Sequence, residues 1–155
     1  MGASCYFIGH RDAGEDLLSA LTVAVERHVM DFGVIDFFVG HYGGFDSLVA
    51  RVLRESKERH PAIRLTLVLP YHPAIRPIST PKGFDGTLYP WEDEKIPKRL
   101  AIIKTNQYMV DVCDHLIAYA HHSFGGTGQI MEYARKREKK GLIRITNLSQ
   151  KPSAL

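Results

Sequence analysis

Five short apolar runs alternate with segments of helical spacing, and this alternation constrains the fold of the 155-residue chain more than any other feature. The runs are nearly continuous in apolar residues, which is typical of parallel strands that helices cover on both faces. The order therefore predicts an α/β fold, a Rossmann-like three-layer sandwich with a mainly parallel five-stranded sheet and helices on both faces. The predicted strands are residues 5–8, 35–39, 65–69, 115–119 and 142–146.

The length and the composition predict one domain over residues 1–155, because a chain of this size with 45% hydrophobic residues can bury a sizeable core. Residues 72–97 interrupt the regular alternation, since this segment is rich in proline and glycine and too long for a plain connection. We expect a lid or an irregular excursion there. The chain shows no signal-peptide pattern and no run of about 18 apolar residues, so we expect a cytoplasmic location and no membrane partner.

A glycine-rich run follows the fourth predicted strand at the point where a helix begins. Gly125, Gly126 and Gly128 let the backbone approach an anion, and the helix directs free amide groups and the positive end of its dipole toward it. Thr127 lies within the run, and the carboxylate of Glu132 lies further along the helix. The run therefore predicts a phosphate-binding loop with a carboxylate beside it, which favours a bound nucleotide.

Other polar residues follow the remaining predicted strands. Because the strand-to-helix loops of a parallel sheet all lie at its carboxyl edge, these residues are expected to converge on one crevice. Asn106, on the helix before the fourth strand, is expected to face the same crevice. The loop residues expected to bind the ligand are Gly9, His10 and Arg11 after the first strand, Gly43, Gly44 and Asp46 after the second, and Pro70 and Tyr71 after the third.

Some of these residues also have plain structural interpretations. Gly43 and Gly44 suit a tight turn with Asp46 as a helix cap, although two glycine loops at equivalent places favour ligand binding. Glu132 suits three roles. It contacts a sugar hydroxyl, it assists cleavage of an N-glycosidic bond by stabilising the developing positive charge or orienting the attacking water, or it pairs with Arg135 or Lys136 on the helix surface.

The histidines after strand ends raise the possibility of a metal site. His10, His41, His72, His121 and His122 all occupy such positions. No pair among them has the helical spacing of a known ligand motif, so we expect no metal and no other cofactor.

The chain resembles the SLOG superfamily, a Rossmann-like group that includes the LONELY GUY-type phosphoribohydrolases and the DNA-processing protein A family. Within that group it is most similar to the small YpsA-like proteins. The resemblance spans most of the chain and is carried by residues 7–11, 43–46, 104–111 and 125–128, together with Glu132.

The resemblance implies a pocket for a nucleotide or a nucleotide-derived ligand, such as a relative of ADP-ribose, in a sensor, carrier or processor. It also implies a homodimer. The alternative is an enzyme that hydrolyses the N-glycosidic bond of a nucleoside monophosphate or related nucleotide, with Glu132 as its catalytic carboxylate. A third interpretation is an interaction module whose pocket is vestigial.

Two positions depart from the family patterns. The LONELY GUY enzymes pair their glutamate with an arginine on the preceding helix, and no arginine occurs in residues 104–107 of this chain. The DNA-processing branch carries Asn-Arg where this chain has Asn106 and Gln107. Together with a formal net charge of only +3, the second departure leads us to expect that nucleic acid is an unlikely partner.

Overall fold

The computed structural model describes residues 2–91 and 96–149. Within these residues the chain forms six strands and four α-helices. The strands are β1 (Ala3–Gly9), β2 (Val34–Val39), β3 (Arg64–Val68), β4 (Gly86–Leu88), β5 (His115–Tyr119) and β6 (Arg144–Asn147). The helices are α1 (Leu18–Met30), α2 (Gly44–Arg59), α3 (Ala101–Val112) and α4 (Gly125–Lys139).

The strands form one sheet in the order β4-β3-β2-β1-β5-β6, and all five pairings are parallel. This confirms the predicted α/β fold with a parallel sheet. The predicted number of five strands is wrong, because β4 adds a sixth. Its three residues, Gly86 to Leu88, lie inside the segment 72–97 and pair with residues 66–68 of β3. A strand this short at a sheet edge has no apolar run that would reveal it in the sequence.

Two hydrophobic cores cover the two faces of the sheet. Cys5 and Phe7 of β1 belong to the core that α1 and α2 cover, whereas Tyr6 and Ile8 belong to the core that α3 and α4 cover. Burial of both faces explains why the strands read as continuous apolar runs. None of the helices within the described ranges combines the length and apolar composition that spanning a membrane requires.

The amino edge of the sheet holds a fully buried histidine, His28 of α1. Its Nδ1–H donates a hydrogen bond of 2.6 Å to the carbonyl of Ala24, while Nε2 has no partner among the described residues. Burial, together with the nearby His115, Arg27 and Arg144, lowers the pKa of His28 to about 4, although the hydrogen bond to Ala24 raises it. His28 is therefore neutral at physiological pH.

Candidate functional site

A cavity of about 360 Å³ opens at the carboxyl edge of the sheet. It lies between the loops that follow β1, β2, β3 and β5, with α3 on one side. The predicted ligand-binding residues that line it are Gly9, His10, Arg11, Asp46, Pro70, Asn106, Gly125, Gly126 and Thr127. The predicted residues outside its lining are Gly43, Gly44, Tyr71, Gly128 and Glu132. The topology thus brings residues from four loops and from α3 to one space.

The amino end of α4 borders the cavity directly. The helix begins at Gly125, whose φ of +80° suits glycine, and its N-cap residue Phe124 provides no side-chain hydrogen bond to the first turn. The hydroxyl of Thr127 donates a hydrogen bond of 3.2 Å to the carbonyl of Gly9, which fixes the helix start against the end of β1. The first-turn amide groups are therefore held at the cavity and available to an anion.

Three of the glycines shape the loops and do not line the cavity. A Cβ at Gly128 would overlap the backbone of Ser123, so glycine allows the loop before α4 to fold back onto the helix. A Cβ at Gly44 would lie 2.9 Å from the carbonyl oxygen of Arg11. Gly43 has a φ of +116° and lies against the side chain of Arg11. These residues bring the loops after β1 and β2 together, which is the tight-turn role that the sequence left open.

Among the described residues, Asp46 is the carboxyl group that lines the cavity. Its Oδ2 accepts a hydrogen bond of 3.0 Å from the backbone N–H of Tyr42, so it also satisfies a backbone donor just before α2. Burial raises the pKa of Asp46 to about 6, although the Tyr42 hydrogen bond lowers it. At neutral pH the carboxylate is ionised but poorly solvated, and it would gain from hydrogen-bond donors on a ligand.

Asn106 enters the cavity from α3 with a fixed orientation. The hydroxyl of Tyr6 donates a 2.6 Å hydrogen bond to Asn106 Oδ1, which leaves the amide N–H groups for other partners. The preceding residue, Thr105, accepts a 3.0 Å hydrogen bond from the indole N–H of Trp91. Trp91 thereby anchors the end of the 72–91 segment beside the cavity. Within the described part of residues 72–97 no residue lines the cavity, and a lid role for this segment stays a prediction.

Glu132 and Tyr71 lie outside the lining of the cavity and make other contacts. The Glu132 side chain is 73% exposed, and its Oε1 lies 3.8 Å from Lys136 Nζ on the next turn of α4. The ring of Tyr71 packs under the guanidinium of Arg76, 4.5 Å from the ring centroid. In this arrangement Glu132 makes the surface pair that the sequence had left as one of its three roles.

A column of three rings lines one wall of the cavity. His10 stacks on His122 with ring centroids 3.7 Å apart, and His122 stacks on Phe124 at 3.8 Å. Phe124 ends the column and is 71% exposed. Burial lowers the pKa of His10, and the neighbouring His122 and His121 lower it further. Sequence reasoning missed Phe124 and Tyr6, although an aromatic residue directly before a glycine-rich phosphate loop was a visible signal.

Comparison with solved structures supports the fold. One similar structure is that of DNA processing protein A from Helicobacter pylori, described for its single-stranded DNA binding mode, with 13% sequence identity to this chain and a TM-score of 0.54. The match covers 95% of this chain and 77% of the other. No protein-family model and no curated protein sequence matches this chain.

This match corrects one expectation. The sequence led us to regard nucleic acid as an unlikely partner, and that exclusion is wrong, because a protein with a similar fold binds single-stranded DNA. The exclusion had relied on the small net charge and on Gln107 in place of an arginine. Neither observation excludes binding, because a nucleotide can be held by helix amides and stacked rings with few charged side chains.

Proposed function

We propose that the cavity at the carboxyl edge binds a nucleotide or a nucleotide-derived ligand, such as a relative of ADP-ribose, in a sensor or carrier. The observation that carries this proposal is the convergence of the first turn of α4, Arg11, Asp46 and Asn106 on one cavity of about 360 Å³. Membership of the SLOG superfamily, close to its YpsA-like branch, is part of the same proposal. The similar fold of DNA processing protein A supports it.

The phosphate would occupy the space at the amino end of α4. Backbone amides of Gly125 and Gly126 and the positive end of the helix dipole favour an anion there. At positions 125 and 126, no atom of another described segment lies within 4 Å of the place where a Cβ would be, so the site leaves room for phosphate oxygens. Arg11 lines the same space and adds paired N–H donors with a permanent charge.

The nucleoside part would contact the polar groups deeper in the cavity and the ring column at its wall. The Asp46 carboxylate can accept hydrogen bonds from ribose hydroxyls, and the Asn106 amide can donate to acceptors on the sugar or base. The exposed Phe124 offers a face on which a base can stack.

A nucleotide unit within a single strand of DNA is the second candidate ligand. Phe124 favours it, because this ring is exposed beside the cavity and stacking accepts any base. The single-stranded DNA binding of the structurally similar protein points in the same direction. The two candidate ligands share the phosphate site and differ in whether a DNA strand continues beyond the bound nucleotide.

Hydrolysis of an N-glycosidic bond remains the alternative function predicted from the sequence. It needs a carboxylate close to the scissile bond. Glu132 lies on the outer surface of α4, and within residues 2–91 and 96–149 the carboxyl group that lines the cavity is Asp46. A hydrolase would therefore lose turnover on Asp46→Asn and keep it on Glu132→Gln.

The test compares ligands on one purified chain. Calorimetry with AMP and with ADP-ribose, anisotropy with a labelled oligo-dT, and chromatography for free base together measure affinity and turnover. Arg11→Gln should weaken binding about 10- to 150-fold, since a hydrogen bond to a charged group contributes about 1.5–3 kcal/mol. Arg135→Gln, which removes an equal charge from an exposed position on α4, should leave binding unchanged.

The outcomes separate the candidates. Tight binding of AMP or ADP-ribose without free base supports the sensor or carrier, and preferential binding of oligo-dT supports the nucleic-acid candidate. Free base that disappears in Asp46→Asn supports the hydrolase. Failure of all three ligands, or equal losses in Arg11→Gln and Arg135→Gln, would refute a nucleotide site in this cavity.

A further inference from the structure

Three histidines from two loops form a cluster at the carboxyl edge of the sheet. His10 follows β1, and His121 and His122 follow β5. The two strands are neighbours, with Gly9 paired to Tyr119, so the ends of both strands deliver their histidines to the same place. The His10 ring centroid lies 4.4 Å from that of His121 and 3.7 Å from that of His122. One ring nitrogen of each histidine lies within 4.8 Å of those of the other two.

The hydrogen bonds around the cluster determine which ring nitrogens carry protons. His121 Nε2 lies 3.3 Å from a carboxylate oxygen of Asp12, and His122 Nδ1 lies 3.0 Å from the carbonyl oxygen of Phe124. Both oxygens can only accept, so these nitrogens donate, and in each neutral ring the other nitrogen keeps its lone pair. Outer hydrogen bonds of this kind, to a carboxylate and to a backbone carbonyl, orient histidines that ligate metals.

His10 supplies an independent observation. Its side chain is only 7% exposed, and its Nε2 has no hydrogen-bond partner among the described residues. A buried polar nitrogen without a partner costs free energy, and a cation in the cluster would remove that cost.

We propose that His10, His121 and His122 bind a divalent transition-metal ion of the zinc type. Imidazole nitrogens suit zinc and its neighbours in the first transition row, whereas magnesium and calcium prefer oxygen ligands. At the usual Zn–N distance of about 2.0–2.1 Å, tetrahedral ligand nitrogens lie about 3.4 Å apart. The stacked His10 and His122 rings would therefore rotate toward the ion when it binds.

Three protein ligands leave one position of a tetrahedral ion open. His10 and His122 line the cavity, so the ion would border the space proposed for the ligand phosphate and could take a phosphate oxygen in that position. This last step rests on the proposed nucleotide function. Metal binding by the three histidines does not, because it can be measured without any nucleotide.

The experiment titrates the untagged, metal-free full chain with Zn²⁺ by calorimetry and with Co²⁺ by visible absorption. We expect one ion per chain and the intense absorption of tetrahedral Co²⁺. His10→Gln and His122→Gln should each weaken binding more than tenfold. Asp12→Asn should weaken it about 10- to 100-fold, because Asp12 orients a ligand without touching the ion. The control is His72→Gln, an exposed histidine outside the cluster, which should bind as the parent does.

Two results would overturn the proposal. One is the absence of stoichiometric binding in the parent chain, and the other is equal weakening in His72→Gln and in the cluster variants, as expected for scattered surface histidines. Circular dichroism of each variant shows whether it is folded. If the buried His10→Gln variant unfolds, the affinity of the partly exposed His122→Gln variant for Zn²⁺ tests the proposal instead. A histidine variant that loses Zn²⁺ binding and keeps nucleotide binding would show that the metal site and the proposed nucleotide site are independent.

Discussion

Replacement of Asp46 by asparagine should stabilise the chain at neutral pH. The ordinary pKa of an aspartate is 3.8, and burial raises that of Asp46 to about 6 in the fold. The folded state therefore holds the proton more tightly than the unfolded state. The contribution of protonated Asp46 to the free energy of unfolding is fully present below pH 3.8 and is lost as the pH rises through 6. Each pKa unit corresponds to about 1.4 kcal/mol, so the ionised carboxylate costs up to about 3 kcal/mol at pH 7.

Asparagine keeps the shape and can still accept the hydrogen bond from the Tyr42 N–H, so Asp46→Asn should remove this cost. Urea unfolding, followed by far-ultraviolet circular dichroism, measures the free energy of unfolding of parent and variant between pH 4 and pH 7.5. The gain should be up to about 3 kcal/mol at pH 7 and below about 1 kcal/mol at pH 4. A gain of this kind would identify Asp46 as a carboxylate kept for binding at a cost in stability.

The control is Asp16→Asn, which removes an exposed carboxylate near the amino end of α1. A negative charge there interacts favourably with the helix dipole, so its loss should slightly destabilise the chain, by less than about 1 kcal/mol. An Asp46→Asn variant that is no more stable than the parent at pH 7, or whose gain is the same at pH 4, would refute the assignment of a raised pKa.

Three further predictions concern other residues. Gly128→Ala should lower the unfolding midpoint, because its Cβ would overlap the backbone of Ser123, whereas Gly126→Ala should keep the midpoint and weaken phosphate binding. Equal midpoints would contradict this. Phe124→Ala should weaken nucleotide binding about 5- to 160-fold, because a stacked base contributes about 1–3 kcal/mol. Phe124→Tyr should keep the affinity, and equal losses of affinity in both variants by calorimetry would exclude stacking. Burial lowers the pKa of His28 to about 4. The contribution of neutral His28 to stability should therefore fall by up to about 3 kcal/mol from pH 6.5 to pH 4. His28→Asn should lose less stability than the parent over this range in urea unfolding, and the same pH dependence in both would contradict this.

The sequence could not place Glu132, because its position depends on where α4 begins and which face it buries. The helix starts at Gly125 and buries Gly128, Met131 and Ala134, which repeat every three residues. Glu132 falls outside that stripe and lies beside Lys136 on the exposed face. A glycine-rich run predicts that a helix starts, but the start residue and the phase are set by how the loop packs against β1.

By itself, the sequence determined the layered parallel sheet and the edge at which the cavity lies. Continuous apolar runs form strands that are buried on both faces, and the loops after parallel strands meet at one edge. Only the tertiary structure decided which residues from those loops meet. Strands β1 and β5 are neighbours although more than 100 residues separate His10 from His121. Of the carboxyl groups that the structure describes, the one that lines the cavity is Asp46. The physical reason is that strand order and helix phase arise from contacts between distant segments, which local periodicity does not encode.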